Sequence, residues 1–173
     1  LAVQCGVHLV NTMYLLDVSE TDPAKKKANE AAVHLLDKKA KEVGVTVLPE
    51  MGMDPGIDLV LCGKAIQDLD EVYELYSYGA GFPESEAADN PIKYKVTWTF
   101  EGVLKSYMRS GRILKADRIV EFAADEMFNQ EHSFELDLEG LGRLEVFPNG
   151  DAIRYAEILG IRDQVKTMGR YVF

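Results

Sequence analysis

Residues 42–58, EVGVTVLPEMGMDPGID, decide the fold because they end one helix, form a short strand and open a second helix. Gly44 supplies the helix stop, since glycine readily adopts the left-handed conformation found there. The apolar run Val45–Leu48 is short enough for a buried strand. After a turn, Asp54 is a good N-cap and Pro55 a good first helical residue. The stretch therefore predicts the helix–strand–helix order of an α/β unit.

The residues before this stretch predict the rest of a parallel βαβ unit. A helix is expected over residues 21–44, with Thr21 or Asp22 as its cap and Pro23 at its first position, because apolar residues recur there every three to four positions. A short buried strand is expected over Val7–Val10. Strand, helix and strand in this order are typical of two parallel strands joined by a crossover helix. Because the opening residues resemble the end of a helix, we expect partner strands before the first residue.

Strands predominate after residue 72. IKYKVTWTF, residues 92–100, alternates apolar and polar side chains as a half-buried strand does. EVYELYSYGAG, residues 71–81, is a second expected strand with several aromatic side chains. Residues 164–173 are expected to form a final strand or the start of a further helix. This part of the chain therefore predicts a sheet rather than a second βαβ unit.

Turn and helix signals complete the prediction for the part of the chain after residue 72. Hairpins are expected to turn at Ala116–Asp117 and across Glu139–Gly142. A helix is expected to begin at Asp151 and to stop at Gly160. The whole chain therefore predicts an α+β fold, in which the end of an α/β unit is followed by a mixed, mostly antiparallel sheet with helices on one face.

The composition is that of a folded chain with an acidic surface. Its 173 residues include 29 acidic and 19 basic ones, so the formal net charge is −10, and 47% are hydrophobic. An acidic chain does not favour binding to nucleic acid, whose phosphates need a basic surface. No apolar run approaches the ~20 residues that span a bilayer, so we expect no membrane partner.

The cysteines predict neither a disulfide nor a metal site. Cys5 and Cys62 lie among apolar residues, so we expect them to pack in the core, as suits a protein of the reducing cytoplasm. Their spacing relative to His8 and His34 matches no zinc-ligand pattern. A cytoplasmic location without a bound metal is therefore the expectation.

Aromatic residues concentrate in the predicted sheet, and two interpretations of them remain open. They form either the sheet core or a dimer face, or else they contact a substrate. The set is Tyr73, Tyr76, Tyr78, Tyr94 and Trp98. Because the strand at 92–100 would have a fully apolar face, we expect a homodimer through the sheet of residues 72–122.

The helix start after the first predicted strands is the most unusual stretch for chemistry. There the N–H groups of the helix start would lie beside Glu50, Asp54 and Asp58. A helix start carries partial positive charge and can bind an anionic group such as a carboxylate, although Asp54 can equally serve as a cap alone. The G-x-G-x-x-G dinucleotide fingerprint is absent from these 173 residues, and no complete set of catalytic Ser, His and Asp residues can be assembled.

Three segments follow one another along the chain: GVHLVNTMY, AKEVGVTVLPEMGMDPGID and YGAGFPESEAADNPIKYKVTWTFEGVL. Together and in this order they resemble the saccharopine dehydrogenase family, which includes lysine 6-dehydrogenase-like enzymes. The resemblance implies an oxidoreductase that uses NAD or NADP, acts on carbon–nitrogen bonds of a small amino-acid-type substrate, and often dimerises. It implies that residues 1–54 are the tail of a Rossmann-type dinucleotide-binding domain and that residues 55–173 are an α+β substrate-binding and dimerisation domain. The main cofactor motif would then precede Leu1, and these residues alone would be inactive.

The resemblance also implies site residues. Cofactor contacts are expected from Asp54, Pro55 and Gly56. Substrate contacts are expected at the end of the first strand, in the loop that opens the second helix and after the predicted strand at 92–100, namely from Asn11, Thr12, Tyr14, Asp54, Gly56, Asp58 and Glu101.

Two of these positions depart from the family pattern. Asn11 stands where the family commonly has Asp, and Glu101 stands where saccharopine-forming members have Arg. An acid cannot replace an Arg that holds a substrate carboxylate, so the pattern does not favour saccharopine as the substrate. Glu101 would suit a cationic group, or it serves only as a helix cap or first-turn acid. The two departures leave open a second function, a non-catalytic oligomerisation or binding module.

Overall fold

The chain folds into two compact units, Leu1–Leu61 and Cys62–Phe173. A computed structural model describes residues 1–16, 20, 22–91, 93–96 and 99–173. The helices are α1 (Pro23–Val43), α2 (Ile57–Gln67), α3 (Phe100–Ser106) and α4 (Ala152–Ile158). The strands are β1 (Leu9–Val10), β2 (Val47–Leu48), β3 (Glu74–Gly79), β4 (Gly111–Lys115), β5 (Arg118–Phe122), β6 (Phe134–Leu138), β7 (Gly142–Pro148) and β8 (Thr167–Val172). Within these described residues, no helix has the length and hydropathy to cross a bilayer.

The first unit is the expected βαβ arrangement. β1 and β2 pair in parallel, and α1 connects them. The Asp22 carboxylate caps α1 by accepting the N–H of Ala24 at 2.9 Å, and Pro23 is the first helical residue. Gly44 ends the helix with φ of 69°, which confirms both predicted helix signals. Thr21, the alternative cap, lies outside the described residues.

The strands of this unit are less buried than expected. The core of the unit is a small cluster of Val3, Ala40 and Val45, packed against partly buried neighbours. Val10 on β1 is 62% exposed, so the prediction of a buried strand at this position is wrong. A two-stranded sheet with one packed helix can cover only part of its apolar surface, whereas parallel sheets are normally covered on both faces. Cys5 is exposed and Cys62 half-buried, which also corrects the expectation that both pack in the core.

The second predicted helix exists, but it starts later and buries none of its residues. α2 begins at Ile57 rather than at Pro55, so the position directly before the helix belongs to Gly56 and not to Asp54. The apolar side chains of Val60 and Leu61 on this helix are more than 60% exposed. Helical spacing predicts that a helix has an apolar face, but burial also needs a partner surface that the spacing does not supply.

The second unit is a mixed sheet built around β8. β3 pairs in parallel with one edge of β8, from Glu74 opposite Thr167 to Gly79 opposite Val172. β4 and β7 share the other edge as antiparallel neighbours, β4 at Met168 and β7 nearer the end of the strand. β5 lies outside β4, β6 lies outside β7, and α4 packs against β4 and β8. A mostly antiparallel sheet with packed helices confirms the predicted α+β fold class.

Local signals placed the hairpins and the last helix correctly. The β4–β5 hairpin turns at Ala116 and Asp117, which have φ of 49° and 65°. Positive φ at both central residues is typical of the tight turn whose twist matches that of the strands. The β6–β7 hairpin also follows the prediction. α4 is capped by Asp151, whose carboxylate accepts the N–H of Ile153 at 3.0 Å, and a final strand rather than a helix closes the sheet.

The predicted strand at 92–100 is wrong for the residues that the structure describes. Residues 93–96 form no regular element, and Phe100 already belongs to α3. Asn90 holds this segment in a turn, because its side-chain amide donates to the Tyr94 carbonyl at 2.7 Å and Lys93 has φ of 50°. Ile92, Thr97 and Trp98, which belong to the same prediction, lie outside the described residues.

Candidate functional site

The candidate site of the first unit lies where β1 and β2 end. The two strands run in parallel with Leu9 opposite Val47, so the loops that follow them leave the same edge of the sheet. Ligands of open parallel sheets bind beyond the carboxyl ends of the strands. The predicted residues Asn11, Thr12, Tyr14, Asp54, Gly56 and Asp58 all belong to these two loops or to the first turn of α2.

Backbone hydrogen bonds hold the two loops together. The N–H of Asn11 donates to the Leu48 carbonyl at 3.1 Å, which continues the strand pairing. The N–H of Met51 donates to the Asn11 carbonyl at 3.0 Å, and the N–H of Glu50 donates to the Met13 carbonyl at 3.1 Å. Residues 11–13 and 50–51 therefore form one connected edge.

The side chain of Asn11 shapes its own loop. Its Oδ1 accepts the N–H of Met13 at 2.9 Å, an Asx turn. Asp and Asn both supply this acceptor, so the Asn found here keeps the turn while removing a negative charge. The side-chain oxygen of Asn11 is therefore used in holding the loop that presents Thr12 and Tyr14.

The second loop closes on its own backbone. The N–H of Gly52 donates to the Pro55 carbonyl at 3.0 Å, and the Gly52 carbonyl accepts the N–H of Ile57 at 2.9 Å. The Asp54–Pro55 peptide bond is cis. Asp58, in the first turn of α2, accepts the N–H of Gly56 on its carboxylate at 2.8 Å. The start of α2 is thus held by a side chain from inside the helix.

Only glycine fits at position 56. Gly56 has φ of 143°, and a Cβ placed on it would lie 2.3 Å from the carbonyl oxygen of Gly52 and 2.9 Å from that of Glu50. Glu50 itself has φ of 60°, an uncommon conformation for a residue with a side chain. Close contact between backbone segments, rather than room for a ligand, is what requires glycine here.

Exposure separates the predicted residues into two groups. Thr12 and Tyr14 are exposed, and Asn11, Asp54 and Asp58 are half-buried, so these five can present atoms to a ligand. Pro55 and Gly56 are buried. Residues 11–14 and 49–61 carry the carboxylates of Glu50, Asp54 and Asp58 and no Lys or Arg. The edge of the sheet is therefore acidic.

Glu101 lies in the second unit, in the first turn of α3. The cap of this helix is Thr99, whose hydroxyl accepts the N–H of Gly102 at 3.2 Å. The Glu101 carboxylate pairs with the ammonium of Lys105 at 2.7 Å, and both side chains are exposed. This hydrogen bond and the positive charge of Lys105 lower the pKa of Glu101. Glu101 is therefore a first-turn acid and not the cap.

Sequence reasoning missed one buried charge in the second unit. Arg170 on β8 is 4% exposed, and its guanidinium lies 3.8 Å from the ring centre of Tyr155 on α4. An arginine inside the otherwise apolar run of a strand is the sequence signal that could have indicated it. Among the described residues, no three His, Cys, Asp or Glu side chains are grouped as ligands of a metal ion.

A family model matches most of the chain. Residues 52–173 match the model of the saccharopine dehydrogenase C-terminal domain. The mitochondrial alpha-aminoadipic semialdehyde synthase of Mus musculus is 37% identical over 163 residues, which are 92% of this chain and 16% of that protein. The NADP-dependent, L-glutamate-forming saccharopine dehydrogenase of Pyricularia oryzae is 31% identical over 90% of this chain and 32% of that protein.

The fold has a counterpart among solved structures. An apo, histidine-tagged saccharopine dehydrogenase (L-Glu forming) from Saccharomyces cerevisiae superposes with a TM-score of 0.75 at 23% sequence identity, over 99% of this chain and 36% of that one. At this identity the match supports the fold. The chain spans 16%, 32% and 36% of the mouse, Pyricularia and Saccharomyces proteins, so each of these relatives is several times longer.

Proposed function

We propose that this chain, which belongs to the saccharopine dehydrogenase family, is the substrate-domain portion of an oxidoreductase that uses NAD or NADP and acts on carbon–nitrogen bonds of amino acids. The observation that carries the proposal is the joined edge of the first unit, where backbone hydrogen bonds connect residues 11–13 to Glu50 and Met51, in the same loop as Asp54. The match of residues 52–173 to the family's C-terminal domain includes Asp54 and Asp58 and supports the family part of the proposal, whereas the assignment of this edge to a substrate cleft is our inference.

The charge of the edge favours an amine as the group that is bound. Glu50, Asp54 and Asp58 lie on it, and residues 11–14 and 49–61 contain no Lys or Arg in the sequence. A carboxylate facing a substrate ammonium group makes a charge-assisted hydrogen bond, whereas a substrate carboxylate would be repelled. The proposed roles are therefore a carboxylate contact from Asp54 to the amine and a hydroxyl contact from Thr12 or Tyr14.

The described residues do not by themselves form a dinucleotide cradle. A pyrophosphate is held by a glycine-rich turn at a helix start. At the start of α2, however, backbone atoms of Gly52 and Glu50 occupy the space beside Gly56. Of the cofactor contacts expected from residues 54–56, only Asp54 is not buried. We therefore propose that NAD or NADP is held mainly by other parts of the whole protein and that these 173 residues alone are inactive.

Kinetics of the complete polypeptide that carries this sequence test the proposal. Reduced nicotinamide formation is followed with lysine and with saccharopine as substrates, and with NAD and NADP in turn. Asp54→Asn is expected to lower kcat/KM for the amine substrate at least tenfold, because a charge-assisted contact is worth roughly 1.5–3 kcal/mol. Asp37→Asn, on the exposed face of α1 of the same unit, is the matched control and should leave kcat/KM unchanged.

Two results would contradict the proposal. If the complete polypeptide binds neither nucleotide and oxidises no amine, the alternative of a non-catalytic oligomerisation or binding module would be favoured. If the isolated 173 residues bind NADH or NADPH with micromolar affinity in a calorimetric titration, the proposed placement of the cofactor site would be wrong.

We also propose that the protein forms a homodimer through the sheet of its second unit. The sequence predicted this dimer from a strand at 92–100, but residues 93–96 form no strand, so the exposed tyrosines of β3 support the proposal instead. Tyr76 and Tyr78 on β3 are each more than 40% exposed. Tyr78 stacks on Tyr171 at 5.7 Å between ring centres and meets Phe134 edge-on at 6.4 Å. The mass measured by sedimentation velocity tests the dimer. A cytoplasmic location stays a prediction from the sequence.

A further inference from the structure

The carboxamide oxygen of Asn11 bonds to the backbone of its own loop. Its Oδ1 accepts the N–H of Met13 at 2.9 Å, so the Asx turn spans Thr12. An N–H donor can face only the oxygen of a carboxamide, so this bond also fixes which way the group is turned. The atom that Asn11 uses here is therefore one that an aspartate also has.

The same turn lies between the two backbone bonds that join the loop after β1 to the loop after β2. The Asn11 carbonyl accepts the N–H of Met51 at 3.0 Å, and the Met13 carbonyl accepts the N–H of Glu50 at 3.1 Å. Because the Asx turn fixes the backbone between these two carbonyls, it sets the geometry of both bonds.

Thr12, in the middle of the turn, lies close to the second loop. A Cβ placed on Gly52 would lie 3.7 Å from the Thr12 Cβ and 3.9 Å from its Cγ2, which are van der Waals distances. The Gly52 N–H in turn donates to the Pro55 carbonyl, and its carbonyl accepts the N–H of Ile57. The Asx turn therefore places Thr12 against the loop that carries Asp54.

We propose that Asn11 is a positioning residue, which acts through Oδ1 to fix Thr12 and Tyr14 relative to Asp54 and does not itself bind the substrate. This inference rests on the function proposed above and replaces the substrate contact that the sequence predicts for Asn11. It also changes the meaning of an Asn at a position where the family commonly has Asp. Because both side chains supply the acceptor of an Asx turn, the exchange keeps the loop and does not by itself indicate lost catalysis.

The turn would act on the reaction through orientation. The proposed contacts come from both loops, a carboxylate from Asp54 after β2 and a hydroxyl from Thr12 or Tyr14 after β1. If one loop shifts relative to the other, each group is still present but misplaced, and a misplacement of about 1 Å can cost on the order of 100-fold in rate. Since Asp54 would still pair with the amine, the loss is expected mainly in kcat rather than in KM.

Two substitutions of Asn11 in the complete polypeptide separate positioning from direct contact. Asn11→Ala removes the acceptor, whereas Asn11→Asp keeps it and replaces the NH2 group by a second oxygen. The matched control is Asp22→Ala. It removes an oxygen that accepts the Ala24 N–H at the same 2.9 Å, again two residues on, but that caps α1 instead of joining the two loops. Far-UV circular dichroism and Tm establish that each variant is folded.

Native-state hydrogen exchange measures the connection between the loops independently of activity. Asn11→Ala is expected to lower the protection of the Glu50 and Met51 amides about 2- to 12-fold, the range that corresponds to one hydrogen bond. Asn11→Asp and Asp22→Ala are expected to leave both amides protected as in the wild type.

Kinetics with an amine substrate measure the effect on the reaction. Asn11→Ala is expected to lower kcat about tenfold with little change in KM, and Asn11→Asp to recover most of that loss. Asp22→Ala is expected to match the wild type, because its cap does not join the loops.

Each outcome supports or overturns a stated part of the inference. Unchanged protection of Glu50 and Met51 in Asn11→Ala, or an equal loss of kcat in Asp22→Ala, overturns it. A kcat in Asn11→Asp as low as in Asn11→Ala also overturns it, because the NH2 group of Asn11 would then contact the substrate.

Two further outcomes keep the inference separate from folding and from the proposed function. If Asn11→Ala fails to fold, Asn11→Ser, whose hydroxyl makes the same turn more weakly, is expected to give a smaller loss, and wild-type values in both measurements overturn the proposal. A wild type that oxidises no amine overturns the proposed function and with it the catalytic role, whereas the role of Asn11 in joining the loops is then decided by hydrogen exchange alone.

Discussion

Replacing Gly56 by alanine should open the loop that joins β2 to α2. The added Cβ would lie 2.3 Å from the Gly52 carbonyl oxygen and 2.6 Å from its nitrogen, distances that no relaxed side chain adopts. Both atoms belong to backbone, so the loop must move. The Gly52 N–H then loses the Pro55 carbonyl, and the Ile57 N–H loses the Gly52 carbonyl. Two such bonds contribute about 2 kcal/mol, and the φ of 143° adds about 1–3 kcal/mol for a residue with a side chain.

Gly44→Ala is the matched control in the same unit. Gly44 also has positive φ, 69°, but nothing lies within 4 Å of its added Cβ. Its cost is therefore the backbone conformation alone, about 1–2 kcal/mol. The difference between the two variants isolates the steric contact and should be about 2–3 kcal/mol, on the order of a 30- to 150-fold change in an opening equilibrium.

Native-state hydrogen exchange measures this opening locally, which matters because the two units need not unfold together. The reporter is the Ile57 amide, whose bond to the Gly52 carbonyl is 2.9 Å long. We expect its protection to fall about 30-fold or more further in Gly56→Ala than in Gly44→Ala. Equal losses in the two variants would refute the reasoning, because the close backbone contact would then contribute nothing to the loop.

Three further predictions concern the second unit. Glu101→Gln is expected to leave kcat/KM for an amine substrate unchanged, because Lys105 already holds the carboxylate at 2.7 Å; a loss of roughly 10- to 150-fold would show that Glu101 binds a cationic substrate group. Burial raises the pKa of Tyr171 from 10.0 to about 12, so the hydroxyl stabilises the fold fully below pH 10 and this stabilisation is lost as the pH rises towards 12. Tyr171→Phe should remove that part of the pH dependence of urea unfolding, and an unchanged profile would contradict the cause. Asp151 caps α4 and pairs with Arg112. Asp151→Ala should therefore lower the unfolding free energy by about 1–2 kcal/mol, whereas Asp151→Asn, which keeps the cap, should lower it by about 0.5 kcal/mol. Equal losses in the two variants would mean that the cap contributes little.

Elements whose causes are local in the sequence were predictable. Asp22 with Pro23, Gly44, the Ala116–Asp117 turn and Asp151 each act through neighbours a few residues away. Helix caps and tight turns depend on such neighbours, so the sequence contains the information that specifies them. The boundaries of α1 and α4 and both hairpins followed from it.

Elements that depend on distant partners were not predictable. The alternation at 92–100 is the pattern of a strand, but a strand also needs a neighbour, and the turn held by Asn90 leaves residues 93–96 without one. The apolar face of α2 was visible in the sequence, whereas its exposure was not. In the candidate site, the parallel strands made it predictable that the two loops leave the same edge of the sheet. The role of Gly56 was not, because it depends on backbone contact with Gly52 and Glu50.

The position of β8 has a consequence for how the protein is made. The strand at the centre of the second sheet is also the last strand of the described chain, and it joins β3, β4 and β7. During synthesis these three strands leave the ribosome first, and they stay unpaired with β8 until it has been synthesised. Sheets with such high contact order fold slowly and expose strand edges to aggregation in the meantime. A nascent chain released before Thr167 would keep its β4–β5 and β6–β7 hairpins as separate pieces, and it would be a substrate for chaperones and proteases rather than a smaller folded domain.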